Sequence, residues 1–260
     1  MNELKSRIRI ECINRDYKHV YRDLDTGIEY PSTTAVTKII QMDINPLMKW
    51  NTNQVASQVV KMLNTKRGKQ ELIDEKFVNA VEEAAKSRPQ EMFKSAGDVG
   101  TRFHEIVDYF ILNGKDSDKI DDDLKVLYTN FKDWLKNSGL TIVLGDTPCI
   151  NRKEGYAGRL DVVFQDRDGN YVIGDWKTSN YLNETYPMQI CSYAAAFADT
   201  YNVPMPTKAI CIRFDKTKPI FEVATIKNVE ESYKSFLETF KIKRYIENGV
   251  WSSVNKYYGS

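Results

Sequence analysis

The 260-residue chain has no uninterrupted apolar run near the ~20 residues a membrane-spanning helix needs. Its opening stretch, MNELKSRIRIECINRD, also lacks the apolar segment of a signal peptide. The expected setting is therefore soluble and intracellular, with no membrane partner. Charge bias is missing as well: 37 Lys and Arg stand against 36 Asp and Glu. Net charge alone thus gives no reason to expect a nucleic-acid partner, and any such partner must be argued from local patches. Cysteine is scarce. Cys12, Cys149, Cys191 and Cys211 are far apart with no CxxC pair, so neither a zinc ribbon nor a dense disulfide framework is suggested; buried free thiols are the expectation, and pairing in the fold is the alternative. No internal repeat, low-complexity tract or linker calls for a second domain. What is present is the composition of a packed protein, 42% hydrophobic and 28% charged, on a chain long enough to bury a substantial core.

Hydrophobic period and turn residues divide the chain coarsely. Residues 17–40 open with a hairpin around Asp25-Thr26-Gly27 and lead through a polar segment into helix. Pro46 suits the first turn of a helix in PLMKWNTNQVASQVVKML. A second helix, with Leu72, Phe77, Val81 and Ala84 at helical spacing, is expected to end before Pro89. A third starts near Asp98 to Thr101 and stops at Gly114, with Phe103, Ile106, Val107, Phe110 and Ile111 as its apolar stripe. A fourth, LKVLYTNFKDWLKNSG, closes at Gly139. The period then shortens to two: LTIVLGDTPCI, GYAGRLDVVF and NYVIGDWKT read as three successive strands. A helix over ETYPMQICSYAAAFADTY, a strand pair (TKAICIRF, PIFEVATI) and a closing amphipathic helix complete the chain. The expected fold class is α/β (α+β), a central mixed sheet with a three-strand antiparallel meander flanked by helices and preceded by a helical N-terminal region. It would form one domain over 1–260, with an N-terminal hairpin and helical region to 90, a core over 91–226 and a C-terminal helix and tail over 227–260.

The stretch GRLDVVFQDRDGNYVIGDWKTS places charges among strand residues, which is costly beside a core unless something compensates them. Arg167-Asp168-Gly169 makes a three-residue hairpin loop ending in a left-handed Gly, so Asp166 pairs with Asn170. In that register Val163 faces Ile173, and Asp161 faces Asp175. Opposed residues carry their Cβ atoms ~5 Å apart on one face, and Lys177, two residues on, shares that face. Like charges so placed repel. A divalent cation with hard oxygen ligands reverses the sign, and carboxylates are the usual donors to Mg²⁺ or Mn²⁺. The alternative is a solvent-facing hairpin with an ordinary cross-strand Asp–Lys pair, and a two-residue Asp168-Gly169 turn would shift the register by one.

Two neighbouring helices bear on the choice. In GTRFHEIVD, His104 and Asp108 are four residues apart and share a helical face, and an imidazole is a good ligand for Mn²⁺; a lone His on an amphipathic helix also serves packing. In QICSYAAAF, Gln189 and Tyr193 present an amide and a phenol at the same spacing.

Taken together, GTRFH, AGRLD, DWKTS and QICSY, in this order, resemble the PD-(D/E)xK phosphodiesterase superfamily, specifically its RecB-like exonuclease branch. YPSTTAVTKII, followed by Trp50, further looks like phage-encoded exonucleases and the mitochondrial genome maintenance exonuclease. The resemblance extends over residues 17 to 200. It implies that His104, Asp161 and Asp175 bind the metal together with the Trp176 main-chain carbonyl, and that Lys177 is the active-site lysine. It implies that Gln189 and Tyr193 order site and substrate, and that Asp108 stands where relatives often have Glu. Members of this branch with an iron–sulfur cluster need a closely spaced downstream Cys group that this sequence lacks, so no cluster is expected.

The implied activity is that of a Mg²⁺- or Mn²⁺-dependent deoxyribonuclease, an exonuclease acting on DNA with free ends, single strands included. Its setting would be phage-type replication, recombination or repair, in the cytoplasm of a bacterial host if phage-encoded. Arg159, Thr178 and Ser179 flank the site and can reach phosphate oxygens; Lys61, Lys66, Arg67 and Lys69 form a basic stretch that also reads as a solvated face. A structure-specific endonuclease, or a non-catalytic DNA-binding accessory protein on a nuclease fold, are the alternatives. The sequence names no protein partner.

Overall fold

A computed structural model describes residues 9–15, 18–40, 45–66, 73–215 and 220–249. The chain divides into two compact units, residues 41–102 and residues 1–40 with 103–260. The divisions expected at residues 90 and 226 coincide with neither unit's edge.

The smaller unit holds helix α2, Asn45–Lys66, and the first part of helix α3, Glu75–Asn113. Asp74 starts α3, its carboxylate accepting the Phe77 N–H at 2.7 Å in the manner of an N-cap. Leu63, Ile73, Phe77 and Val81 line one small hollow, and the Lys66 ammonium lies 5.2 Å from the Phe77 ring centroid. The sequence predicts a stop before Pro89 and a new helix near residue 98. Instead α3 is continuous, with Pro89 inside it and buried. A proline costs a helix roughly 3 kcal/mol. The Ala-, Glu- and Lys-rich turns around it are strong helix formers, and they absorb that loss. Arg67, Lys69 and Leu72 lie outside the described residues.

Among its described residues the larger unit opens on strands: the expected hairpin is joined by a further strand into a separate three-stranded sheet, so the N-terminal region is not helical throughout. Strands β1, Ile10–Arg15, β2, Lys18–Asp23, and β3, Glu29–Pro31, form an antiparallel sheet in that order. The β2–β3 hairpin turns where the sequence places it. Gly27 has φ 74° and donates to the Asp23 carbonyl at 2.7 Å, while the Asp23 carboxylate accepts the Asp25 N–H and an Arg152 guanidinium N–H. Tyr21 and Tyr30 pack on Ile150 and Ala157 of the main sheet. Ser32 caps the short helix α1, Thr33–Thr37, which runs into a 3₁₀ turn at Lys38–Ile40.

The main sheet has five strands in sequential order: β4, Thr141–Asn151; β5, Tyr156–Gln165; β6, Tyr171–Thr178; β7, Lys208–Phe214; β8, Phe221–Ile226. The expected meander is β4–β5–β6, all antiparallel. Helix α5, Tyr186–Tyr201, crosses from β6 to β7, and that pair is parallel. A crossover helix covers a sheet face, so the central strand β6 is buried and reads YVIGDW without a polar alternation.

Side-chain parity then divides the core. Ile173, Leu160, Ile190, Phe197, Phe236 and Phe240 cluster under α5 and the closing helix α6, Val229–Glu247. Trp176, Phe164 and Phe214 pack with Phe131 of α4, Asp122–Ser138, and with Phe103 of α3. Gly145 lets α3 close on β4, because a Cβ there would fall 2.6 Å from Ile111 Cγ2. Three of the thiols, Cys149, Cys191 and Cys211, are buried as expected. Cys12 is exposed, because it lies on a strand of the small N-terminal sheet and not in the core. Among the described residues no helix is long and apolar enough to cross a membrane.

Candidate active site

The β5–β6 register is the one the three-residue loop dictates. Gly169 has φ 84°, Asp166 N–H donates to the Asn170 carbonyl at 2.9 Å, and Val163 faces Ile173. Asp166 fixes the loop further, accepting the Asp168 and Asn170 N–H groups and pairing with Lys208 at 2.5 Å. Regular pairing extends to Val162↔Gly174 and no further. By alternation, Trp176 N–H would next donate to the Leu160 carbonyl; it donates instead to Asp161 Oδ2 at 2.8 Å. The carboxylate takes over a rung of the ladder, and the strands part at the level of Asp161 and Asp175.

The expected residues are neighbours at this opening. Asp175 is 2% exposed, and Lys177 Nζ lies 2.5 Å from its Oδ2. That oxygen is buried, and the Lys177 ammonium is the charge facing it. The Lys177 ammonium also stands 5.2 Å from the Tyr186 ring centroid. Asp161 keeps some surface exposure, but its carboxylate is closely surrounded. Burial first, then the Asp175 charge, push its pKa well above the ordinary carboxylate value, against the pull of Lys177 and the Trp176 N–H. At Lys177 burial opposes the charge, yet Asp175 and Asp161 outweigh it and hold the pKa above normal. The site therefore stores an ammonium beside two crowded acids.

His104 approaches from α3 and hydrogen-bonds to the Trp176 main chain. Burial lowers its pKa, with Asp175 opposing and Lys177 assisting, so the imidazole is neutral near pH 7. One turn on, Asp108 is raised to about 6 by burial, then by Asp146. The i, i+4 spacing thus turns both side chains to the same acidic surroundings.

On the α5 side, Gln189 Nε2 donates to Tyr193 Oη at 2.9 Å and to Thr34 Oγ1 at 3.3 Å. Tyr193 is 4% exposed, and burial followed by Asp175 and Asp161 raises its pKa well. The close approach of its ring to β5 depends on Gly158, where any Cβ would lie well inside contact distance of Tyr193 Cε1 and 3.0 Å from Thr33 Oγ1.

Other expectations fare differently. Among the described residues no group of three or more His, Cys, Asp or Glu side chains is arranged to hold a metal ion. His104, Asp161 and Asp175 are each engaged by a protein neighbour: the Trp176 main chain, the Trp176 N–H and the Lys177 ammonium. Arg159 is ion-paired with Asp146 and also donates to its carbonyl at 3.2 Å. Ser179 Oγ turns into its own loop, donating to the Tyr181 carbonyl at 2.7 Å, and its carbonyl accepts from Arg213. The Thr178 hydroxyl is buried with no hydrogen-bond partner. The Thr178 hydroxyl is enclosed where β6 pairs with β7, and the Ser179 hydroxyl is occupied within its exposed loop.

Two features escape the sequence reading. Asp146 has φ 41°, uncommon for a non-glycine residue, and lies across from Asp161 between the Gly145↔Val162 and Thr147↔Leu160 pairs. The Gly145-Asp146 dipeptide inside a strand pattern is the signal that could have shown the irregularity. The other is Ser32-Thr33-Thr34. Ser32 bridges to Ala157, and the Thr33 hydroxyl donates to the Ala157 carbonyl at 3.2 Å, which brings the segment onto β5 and α5.

No family model and no curated protein matches the chain. A solved structure described as "Crystal structure of SSO0001" aligns over 80% of this chain and 96% of its own, at 11% identity and a TM-score of 0.33. A likeness this distant carries no functional argument.

Proposed function

We propose that the protein is a metal-dependent DNA exonuclease that hydrolyses phosphodiester bonds at free ends, single-stranded DNA included, in phage-type replication, recombination or repair. The observation that best supports this reading is that Asp161, Asp175, Lys177, His104 and the Trp176 main chain gather where the β5–β6 ladder opens. Packing gives no reason for two adjacent buried acids, whose mutual repulsion and desolvation both destabilise the fold. A soluble, intracellular setting goes with this reading.

The donor chemistry fits a hard divalent cation. Asp175 is a buried carboxylate, Asp161 is a second one, His104 is a neutral imidazole, and the Trp176 carbonyl would complete an oxygen-rich set. Holding a cation requires Lys177 to yield its place on Asp175. When bound, Mg²⁺ or Mn²⁺ would activate water and offset charge on the phosphoryl oxygens. Lys177 keeps its proton at the site, and from there it orients the attacking water or stabilises the charged phosphate. Gln189 and Tyr193 hold the adjoining surface in place.

A second reading, a non-catalytic DNA-binding accessory protein on the same fold, is favoured by the Lys177–Asp175 ion pair and by the absence of a preformed three-side-chain ligand set among the described residues. Metal titration with end-labelled linear DNA and closed circles separates the readings. Mn²⁺- or Mg²⁺-dependent loss of the end label with circles intact supports the exonuclease. Cleaved circles would indicate an endonuclease, and binding without cleavage at any metal concentration would indicate the accessory protein.

A further inference from the structure

A groove of about 450 Å³ opens between the N-terminal sheet, α1, β5 and α6, with Tyr193 in its lining and neither Asp161 nor Asp175 among its lining residues. The cations Lys38, Arg159 and Lys243 line it together with His19 and the Thr34 hydroxyl, and Tyr193 contributes to the lining. The opposing charge within it is Glu247, which is tied to Lys243 at 2.6 Å. Asp146 outside the lining holds Arg159. Lys38 and His19 are exposed, whereas Tyr193 and Lys243 are buried. The groove therefore presents the Lys38 ammonium and the His19 ring at its exposed side, with Arg159 and Lys243 ion-paired, and the Tyr193 ring and Ser32 on its buried side.

That wall chemistry selects an anionic ligand with an aromatic or sugar portion. Its volume suits about one nucleotide unit, and a buried inner wall is reached by a strand that can turn a nucleotide inward, which a paired duplex resists. Tyr193 belongs to the groove lining and also feels the charges of Asp175 and Asp161, and the Gln189 amide fixes it to Thr34 within that lining.

We infer that this groove is a binding subsite for one nucleotide of a single DNA strand, next to the nucleotide presented to Asp161, Asp175 and Lys177. The inference rests on the nuclease reading for its occupant, and its test does not require cleavage. Cys12 supplies a reporter: it is the exposed thiol, its Sγ lies 3.1 Å from His19 Nε2 at the groove, and the other three cysteines are buried.

The experiment measures binding of a short fluorescein-labelled oligo-dT in EDTA, with thiol labelling of Cys12 followed in parallel. Bound oligo-dT is expected to slow Cys12 labelling several-fold. Lys38→Glu, an exposed substitution that leaves the core untouched, is expected to weaken binding about tenfold and to lower the salt slope by about 0.7, as for one lost single-strand phosphate contact. His19→Ala is expected to weaken binding to a lesser degree. An equally long duplex should compete poorly. The groove proposal is overturned if Lys38→Glu and His19→Ala leave affinity and salt slope unchanged, if bound oligo-dT leaves Cys12 labelling unaffected, or if the duplex protects Cys12 equally. If the oligo binds here and wild-type protein cuts no DNA with any divalent ion, the groove stands and the nuclease reading falls.

Discussion

Asp161→Asn separates a carboxylate kept for chemistry from one kept for the fold. The Asp175 charge acts against that of Asp161, and two like charges about 5–6 Å apart repel by roughly 3 kcal/mol at an effective dielectric of ~20. Lys177, 2.5 Å from Asp175, offsets part of that repulsion. An asparagine keeps an oxygen for the Trp176 N–H, now 2.8 Å from Asp161 Oδ2, and sheds the buried charge. The expected net effect is a stabilisation of about 1 kcal/mol, which raises Tm by ~2–4 °C for a unit of this size. Because the Asp161 pKa is raised in the fold, the folded state binds more protons than the unfolded one above the ordinary carboxylate pKa. The carboxylate therefore costs stability as pH rises through that window. The advantage of Asn should thus be present at neutral pH and vanish near pH 4, where both side chains are uncharged. Thermal unfolding in EDTA at the two pH values reads this directly, and added Mn²⁺ should raise the wild-type Tm but not that of the variant. Cleavage should be lost. A variant that melts below wild type in EDTA at neutral pH would show that the anion itself supports the fold, and the reasoning would fail.

Lys177→Met removes the charge that faces Asp175 and leaves a buried carboxylate uncompensated; a loss of about 3–5 kcal/mol is expected in chemical denaturation, partly recovered by Mn²⁺. Asp108→Asn should flatten the fall in stability between about pH 4 and pH 6, the interval in which the raised wild-type carboxyl, at about 6, ionises in the fold against its preference; Tm measured across that range checks it. Gly174→Ala brings a methyl to 2.6 Å from Phe164 Cε2 and 2.7 Å from Val162 Cγ1, so overpacking should cost about 1–3 kcal/mol in denaturant unfolding.

Local chemistry made much of this legible in one dimension. A loop of Arg167-Asp168-Gly169 has few conformations, and it fixed the β5–β6 register as far as Val162 and Gly174; the ladder opens before the expected Asp161–Asp175 pair, and the Asp175 charge still acts on Asp161. Four-residue spacing put His104 with Asp108, and Gln189 with Tyr193, on common helical faces; in the structure the Asp146 charge acts on both His104 and Asp108, and Gln189 bonds Tyr193. The change of period at residue 140 and the Gly139 stop marked where the sheet begins. Pro89 misled because a local penalty was read without the strength of the turns around it.

Contacts between distant segments were beyond any local rule. The order of residues does not say that Ser32 and Thr33 will join Ala157, 124 residues after Thr33, or that Thr34 will share an amide with Tyr193. Nor does it show Asp146 across from Asp161, because the bulge near Val143 shifts the β4 register. The hydroxyls of Thr178 and Ser179 look free in sequence, but the first is buried where β6 pairs with β7 and the second is used within its own loop. Turn geometry and helical period act over a few residues, so sequence sets them. Which strand edge is covered, and which charge meets which, depends on the packing of whole layers, and only the folded chain decides it.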